Sequence, residues 1–596
     1  MRRAGRPGRE PRSVTAAERA QAREVSLRRV GQLFLPYRWS LVSVTAIIAL
    51  SSVVGLGSPF LLRAVIDTAL PTKNLHLLSW LVIGMVAVAV LSAAFGVIQT
   101  WISTKIGQQV MHGLRTGVFA HLQRQSIAFF TRTRTGEVQS RITNDIGGME
   151  SVVTSTATSI AANLTTAIAT SVAMVALSWR LSLISLVVMP PAIYLTRKVA
   201  RLRRSITTQQ QRELANLNVS IDEGLSINGI QLSKTMGTGP SNIARFTESS
   251  ARLIELELRS QLAGRWRMAS LGIIFAAIPA IIYLSAGLPV TAGTMTIGTL
   301  IAFTTLQNSL FRPLTGLLNT SVSVISSLAL FARIFEYLDL PVEIDDPANP
   351  VELDPARVSG HVRFADVGFS YPGADRAALS GIDLDVPAGT TSALVGETGS
   401  GKTTLASLVA RLYDPTSGAV TIDGIDVRDL RLADLATIVG VVSQDTYLLH
   451  TTVRENLRYA KPAATDAEIE EAARAAQIHD LITDLPDGYD TMVGSRGHRF
   501  SGGEKQRIAI ARTRLRDPRV LVLDEATSAL DTRTERAVQL AFDALARGRT
   551  TITIAHRLST VRNADQIAVI GHGRIIETGT HDSLLEHNGR YASLAA

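Results

Sequence analysis

Residues 391–404 read Thr391-Ser-Ala-Leu-Val-Gly396-Glu397-Thr398-Gly399-Ser400-Gly401-Lys402-Thr403-Thr404. An apolar, β-prone run ends in a glycine-rich loop, and a helical pattern begins at the lysine. The loop matches G-x4-G-K-[ST]. Its glycines let the backbone turn N–H groups toward phosphate oxygens, and the following helix N-terminus favours negative charge. Lys402 is placed to neutralise the outer phosphates of a nucleotide, and the Thr403 hydroxyl to ligate magnesium. Gly396, Glu397, Thr398, Gly399, Ser400, Gly401, Lys402, Thr403 and Thr404 are the candidate phosphate-binding residues.

Around this loop, short β-rich runs at 362–364, 391–395, 438–442, 520–523, 551–554 and 566–570 alternate with helical patterns, which predicts an α/β unit with a largely parallel sheet. The run Val520-Leu-Val-Leu-Asp524-Glu525 ends a buried strand in two acids, 122 residues after Lys402. Asp524 is placed to hold the magnesium shell, and Glu525 to polarise an attacking water as general base. His556, after the strand at 551–554, could bond a γ-phosphate or that water; taken alone it reads as a structural histidine.

The first half of the chain is different. Long apolar stretches lie near 39–62, 77–101, 152–177, 180–197, 268–287 and 297–320, each long enough to cover a hydrocarbon core. Pro190-Pro191 interrupts the fourth, a kink that neighbouring protein can satisfy. The connections 102–151 and 198–267 are long, polar and rich in Arg, whereas 63–76, 178–180 and 288–296 are short and carry only Arg63, Lys73 and Arg180. Positive residues favour the cytoplasmic side, so both termini and the long connections are expected inside. Residues 1–30 read as a basic tail without a fixed fold; they lack the apolar core of a secretory signal. A linker is expected at 341–357, where Pro341, Pro347 and Pro350 cannot continue a helix. The expected domains are thus a transmembrane domain over 31–340 and a nucleotide-binding domain over 358–596.

Composition agrees. Of 596 residues 46% are hydrophobic and 19% charged, which excludes a disordered chain. Cys is absent, so disulfide scaffolds, thiol catalysis and Cys-ligated metal are ruled out. Residues 1–350 hold 33 Lys+Arg and 18 Asp+Glu, a net +15; residues 351–596 hold 27 and 33, a net −6. The basic excess sits beside apolar runs, which points to an anionic membrane surface and not to nucleic acid. Arg outnumbers Lys 53 to 7, as in GC-rich bacterial genomes.

Phe500-Ser501-Gly502-Gly503-Glu504-Lys505-Gln506-Arg507 resembles the signature of ABC transporters. So do Tyr371 at the A-loop position, Gln444 in Val441-Val-Ser-Gln-Asp, Ser528-Ala-Leu-Asp531 at the D-loop, and His556 in Ile554-Ala-His-Arg. The series is complete from A-loop to H-loop. Over about residues 30–596 the chain is similar to bacterial ABC exporters of the half-transporter type: an all-α polytopic membrane domain of six helices with long cytoplasmic extensions, fused to one α/β P-loop ABC nucleotide-binding domain.

The resemblance implies ATP and Mg2+ as cofactors. It implies that Tyr371 stacks on adenine, that Thr403, Gln444 and Asp524 surround the metal, and that Glu525, His556 and Gln444 serve hydrolysis. It further implies that Ser501, Gly502 and Gly503 cap ATP held by a second subunit, identical or related, so that two chains sandwich two nucleotides. Small residues at a helix N-terminus suit that close approach to phosphate. Short coupling helices are implied near 114–126 and 222–237. Three positions depart from the usual pattern: Phe500 for Leu, Glu504 for Gln, and Ser495 for Glu in Met492-Val-Gly-Ser-Arg-Gly497. Ser495 removes one charge contact between domains, whereas Phe500 and Glu504 only flank the serine and glycines.

The implied function is an ATP-driven exporter of drugs, lipids or other amphipathic compounds in a bacterial inner membrane, working by alternating access. An exporter-fold importer, for example of a metal chelate, and an ATP-gated channel or regulatory module stay open. Gln307, Asn308 and Arg312 in the sixth span either line a cargo cavity or make interhelical and interfacial contacts.

Overall fold

The computed structural model describes residues 25–133, 135–286, 296–444, 446–494, 497, 500–524, 532–555 and 561–595. The chain divides into two compact units, Met1–Leu122 with Gly136–Leu340, and Gln123–Thr135 with Pro341–Ala596.

Six long helices build the first unit: α1 Arg38–Ala64, α2 Leu75–Gln123, α3 Ile146–Leu177, α4 Trp179–Leu225, α5 Gly239–Ala286 and α6 Ile297–Leu338. Three stretches among the described residues are long and apolar enough to cross a bilayer: Leu27–Ala69, Leu75–Gln123 and Thr158–Leu177, with mean hydropathies of 2.0, 2.7 and 1.7. At most 17% of any of these windows is buried. Apolar faces left this open call for lipid or protein cover, not water. Helix α4 runs unbroken through Pro190-Pro191.

Local chemistry sets the breaks. Ser178 alone separates α3 from α4, in extended backbone, and its hydroxyl accepts the Leu181 N–H. Thr296 caps α6 by accepting the Thr299 N–H at 3.1 Å. Ser226 starts the short helix Ile227–Met236 by accepting the Gly229 N–H at 3.0 Å, and Gly237, at φ +68°, closes it.

Helix α6 packs along α3, α5 along α4, and α1 against α3 and α6. Met174, Leu181, Ile278, Ile282, Phe303 and Leu306 form a buried apolar cluster. Gln307, 1% exposed, donates to Ser185 Oγ at 2.8 Å, an interhelical contact, while its Oε1 has no hydrogen-bond partner among the described residues. Asn308 and Arg312 are exposed. Residues 1–24 lie outside the described residues, and helix Leu27–Phe34 begins where a tail was expected; Arg29 anchors it through paired bonds to Asp339 at 2.6 and 2.7 Å.

The first coupling helix is not at 114–126. There α2 continues to Gln123, because Ile106, Val110, Leu114, Val118 and Leu122 repeat at helical spacing along one buried stripe. The short helix is Ile127–Arg132, in the second unit. In that unit Arg124 pairs with Asp345 at 2.5 Å and the Ser126 hydroxyl donates to Glu343 at 2.7 Å, so the acidic linker holds this loop. The linker itself is tied down where Asp346 accepts the Leu432 N–H and Val351 N–H donates to Asp429 O.

The rest of the second unit carries two sheets. One has four antiparallel strands in the order β2-β1-β4-β5: β1 Val362–Phe369, β2 Leu379–Val386, β4 Ser417–Ile422 and β5 Ile425–Asp426. The other has six in the order β10-β9-β3-β8-β7-β6: β3 Thr391–Val395, β6 Val439–Val442, β7 Val520–Asp524, β8 Thr550–Ile554, β9 Gln566–Gly571 and β10 Arg574–Gly579. All its pairings are parallel except β10 on β9. The expected α/β unit with a largely parallel sheet is present, and one run is corrected: 362–364 belongs to the separate antiparallel sheet. Helix α7 (Lys402–Val409) buries Leu405, Leu408 and Val409 in the core beside the strands, and α8 (Gly502–Arg516) buries Ile508, Ile510 and Leu515 in a second core. β3 therefore enters, and α7 leaves, the glycine loop from fixed supports.

Candidate nucleotide-binding site

The loop between β3 and α7 is shaped by positions that exclude side chains. A Cβ on Gly396 would stand 2.2 Å from Ile570 O, and one on Gly401 (φ +111°) 2.7 Å from Leu379 Cδ2. Gly401 is the N-cap of α7, so the first free N–H groups of that helix face the loop. Lys402 is buried and its ammonium donates to Gly396 O and Glu397 O, both at 2.8 Å. Burial pushes its pKa below the ordinary lysine value, while the Asp524 carboxylate at the end of β7 opposes the shift. A cation desolvated in this way gains strongly from an incoming polyanion. The buried Ser400 hydroxyl has no hydrogen-bond partner among the described residues, an acceptor–donor pair that a phosphate oxygen would satisfy.

Tyr371 lies just beyond β1. Its hydroxyl hydrogen-bonds Thr404 Oγ1 at 2.8 Å, and its ring meets Phe369 and Tyr413 edge to face at 4.9 and 5.4 Å between centroids. Thr404 is thus a support of Tyr371 as well as part of the loop. The ring stays 38% exposed, enough for a planar base to cover it. Tyr413 was not singled out in sequence, because no spacing rule marks an aromatic after α7. Nor was Arg590, whose guanidinium bonds Glu397 in the loop; its backbone N–H is itself fixed by Glu577 at 2.5 Å.

Ser501 is the N-cap of α8 in a reciprocal capping box: its hydroxyl accepts the Glu504 N–H at 3.4 Å, and Glu504 accepts the Ser501 N–H at 2.8 Å. Glu504 thus fills the capping position that a Gln would fill as well, so the departure leaves the helix start intact. Ser501 and Gly502 are exposed and Gly503 is buried, so the helix start presents its free N–H groups outward. Phe500 is buried among apolar neighbours, where either Leu or Phe fits. Gln444 is exposed. Glu525, His556, Ser528–Asp531 and Ser495 lie outside the described residues.

A phosphate cradle on an α/β sheet, in one chain with helices that expose apolar windows of bilayer length, defines an ATP-using integral membrane protein. Known sequences and structures narrow the class. The profile of the ABC transporter transmembrane region matches residues 41–314, and the ABC transporter profile matches residues 379–528. The chain is 35% identical to the ATP-dependent lipid A-core flippase of Syntrophus aciditrophicus (strain SB), over 99% of this chain and 97% of that protein. It is 38% identical to the ATP-dependent lipid A-core flippase of Chromobacterium violaceum, over 90% of each. The solved structure of a bacterial Atm1-family ABC exporter with ATP bound is similar with a TM-score of 0.75 at 30% identity, over 94% of this chain and 97% of that one. The chain belongs to the ABC transporter family: its nucleotide-binding domain is an ABC-type ATPase, and ATP hydrolysis drives transport through its membrane domain.

Proposed function

We propose that this chain exports lipids or other amphipathic molecules from the cytoplasm or inner leaflet of a bacterial inner membrane, as one half of a dimer. The observation that carries this reading is the cradle Gly396–Lys402 in the same chain as apolar helices that its own fold leaves almost uncovered. The named activities of the relatives, lipid A-core flipping above all, favour a lipid-like cargo. The basic connections support a cytoplasmic position for both termini and the nucleotide-binding domain.

The residues divide the work. Tyr371 takes the adenine on its open face. The backbone from Gly396 to Thr404 and the Lys402 ammonium hold the phosphates, and Lys402 exchanges its loop carbonyls for phosphate oxygens. Mg2+ suits the oxygen donors Thr403 and Asp524, with Gln444 beside them, since it binds through few protein oxygens plus phosphate and water; bound there, it would offset the charge of the outer phosphates. Glu525 takes the proton of the attacking water, with Gln444 and His556 orienting it. Ser501, Gly502 and Gly503 present the positive end of α8 to ATP on the partner's loop. One chain has one loop and one signature, so the sandwich needs a second half-transporter, identical or related. Binding of two ATP closes the pair and turns the membrane cavity outward; hydrolysis resets it.

The test is reconstitution of the purified chain alone in liposomes, following ATP-dependent movement of fluorescent lipids between leaflets. Movement away from the nucleotide side that stops in Glu525→Gln is expected. Movement toward that side, or none for any lipid or drug with ATPase intact, would refute lipid or drug export.

A further inference from the structure

The segment after Gln444 has no regular secondary structure over 446–449, so its shape depends on what its carbonyls bond to. Two side chains hold it. Arg512, one turn from the end of α8, donates from Nη1 to Tyr447 O at 2.8 Å and from Nε to Asn456 O at 2.7 Å; its Nη2 also bonds Asn456 Oδ1. Asn456, fully buried, donates to Leu449 O at 3.0 Å and to Thr452 O at 2.9 Å, and accepts the Leu449 N–H at 2.9 Å. All three bonds from the guanidinium go to neutral oxygens, and none of the ion pairs among the described residues includes Arg512. Burial lowers its pKa from the ordinary arginine value, with a small opposing effect of Tyr459. A cation kept half-buried without a counter-ion is a costly way to brace a loop, unless the loop has to be held to that helix with little play.

The connection has a direction. Arg512 is ten residues along α8 from Gly502, about 15 Å of continuous helix. At one end of this rod are Ser501 and Gly502; at the other the guanidinium grips a loop whose Gln444 lies three residues before Tyr447. Under the proposed function, on which this step rests, the two ends serve different nucleotides: the signature meets ATP on the partner, and Gln444 meets ATP on this chain's own loop.

We propose that Arg512 is a positioning residue that links the two ATP sites of the dimer, by fixing the Gln444 segment to the signature helix. A signature seated on one nucleotide moves α8, and Arg512 carries that movement to the water-orienting residue of the other site. Asn456 makes the carried segment rigid, so it belongs to the same device.

Arg512→Lys keeps the charge but loses the forked geometry, and Asn456→Asp keeps the shape but loses the donors to Leu449 and Thr452. Both are measured as full-length chain in liposomes, per folded nucleotide site counted by binding of a fluorescent ATP analogue. The expected result is a fall of about tenfold in kcat, the loss of one charge-assisted bond. KM should move by less than about twofold, as expected when an interaction confined to the transition state is lost. The Hill coefficient for ATP should drop from above one to one, and the Leu449 amide should exchange faster. Wild-type kcat and Hill coefficient in both variants would overturn the proposal, as would losses that vanish when activity is expressed per folded site, or a wild-type coefficient of one. If neither variant folds, the wild-type chain decides: Mg-ATP must slow Leu449 amide exchange, and unchanged exchange overturns the link. Retained analogue binding in Lys402→Ala would instead overturn the nucleotide-site reading, independently of Arg512.

Discussion

Two glycines of the phosphate loop make a matched pair for testing how the loop is built. Gly396→Ala puts a Cβ 2.2 Å from Ile570 O and 2.9 Å from Ser400 Oγ. The first obstacle is backbone of β9, which is paired with β3 through Val395 and Val569, so relief requires parting two central strands. Gly399→Ala at φ +81° meets nothing within 4 Å. Both variants place a side chain at positive φ, which costs about 1–2 kcal/mol in the left-handed region; at Gly396, φ +154°, the clash comes on top of that strain. Overpacking of this kind costs about 1–3 kcal/mol. For a domain of this size each kcal/mol moves the melting midpoint by about 2–4 °C. Gly396→Ala should therefore unfold its nucleotide-binding domain roughly 2–12 °C below Gly399→Ala, followed by thermal scanning of the detergent-purified chain without nucleotide. If the two variants melt together, the packing of the loop against β9 described here is wrong.

Lys402→Ala should weaken binding of a fluorescent ATP analogue at least tenfold, the loss of one charged phosphate contact; undiminished affinity would remove Lys402 from the site. Glu525→Gln should bind ATP normally while turnover drops about 10²–10⁴-fold, the usual yield of a general base, and normal phosphate release would reject that role. Glu468 caps the helix Asp466–Ala475, and the Lys461 ammonium, then the Thr465 N–H and hydroxyl, pull its carboxyl down to about 2. Because the folded value lies below the unfolded one, its contribution is complete above the ordinary carboxylate range and fades as pH falls toward about 2. The stability gap between wild type and Glu468→Gln should thus be widest near neutrality and close in acid; a gap that widens in acid would contradict the linkage. Tyr413→Ala should loosen Tyr371 and raise KM for ATP with little change in kcat, and an unchanged KM would show that Tyr371 needs no such support.

What could be read from the sequence follows from which patterns are strong when taken one residue at a time. The inner strands β3, β7 and β8 are largely buried on both faces and appear as short runs of apolar and β-branched residues. Strand β2 alternates, with Asp383 and Asp385 exposed, and without it the antiparallel sheet is not visible in sequence; β10, the edge of the six-stranded sheet, has no fully buried residue and is no easier to read. The glycine loop was readable because its spacing is dictated by phosphate geometry. Arg590, which bonds Glu397 of the loop, and Tyr413, which packs on Tyr371, were not, because each meets its partner from a distant part of the sequence only after folding.

The membrane domain repeats this contrast on a larger scale. Hydropathy finds where a helix crosses lipid and is silent about where it ends, since α2 continues past its apolar run on a narrow stripe from Ile106 to Leu122. Gln307 shows a mixed case: a polar residue in an apolar span suggested a cargo site, and its amide N–H is engaged by Ser185 while its buried Oε1 has no hydrogen-bond partner among the described residues. A side chain engaged within the bundle on its donor side alone has less to offer a ligand than one left open to solvent. Asn308 and Arg312, one and five residues further along α6, are both exposed and so carry fewer such commitments than Gln307.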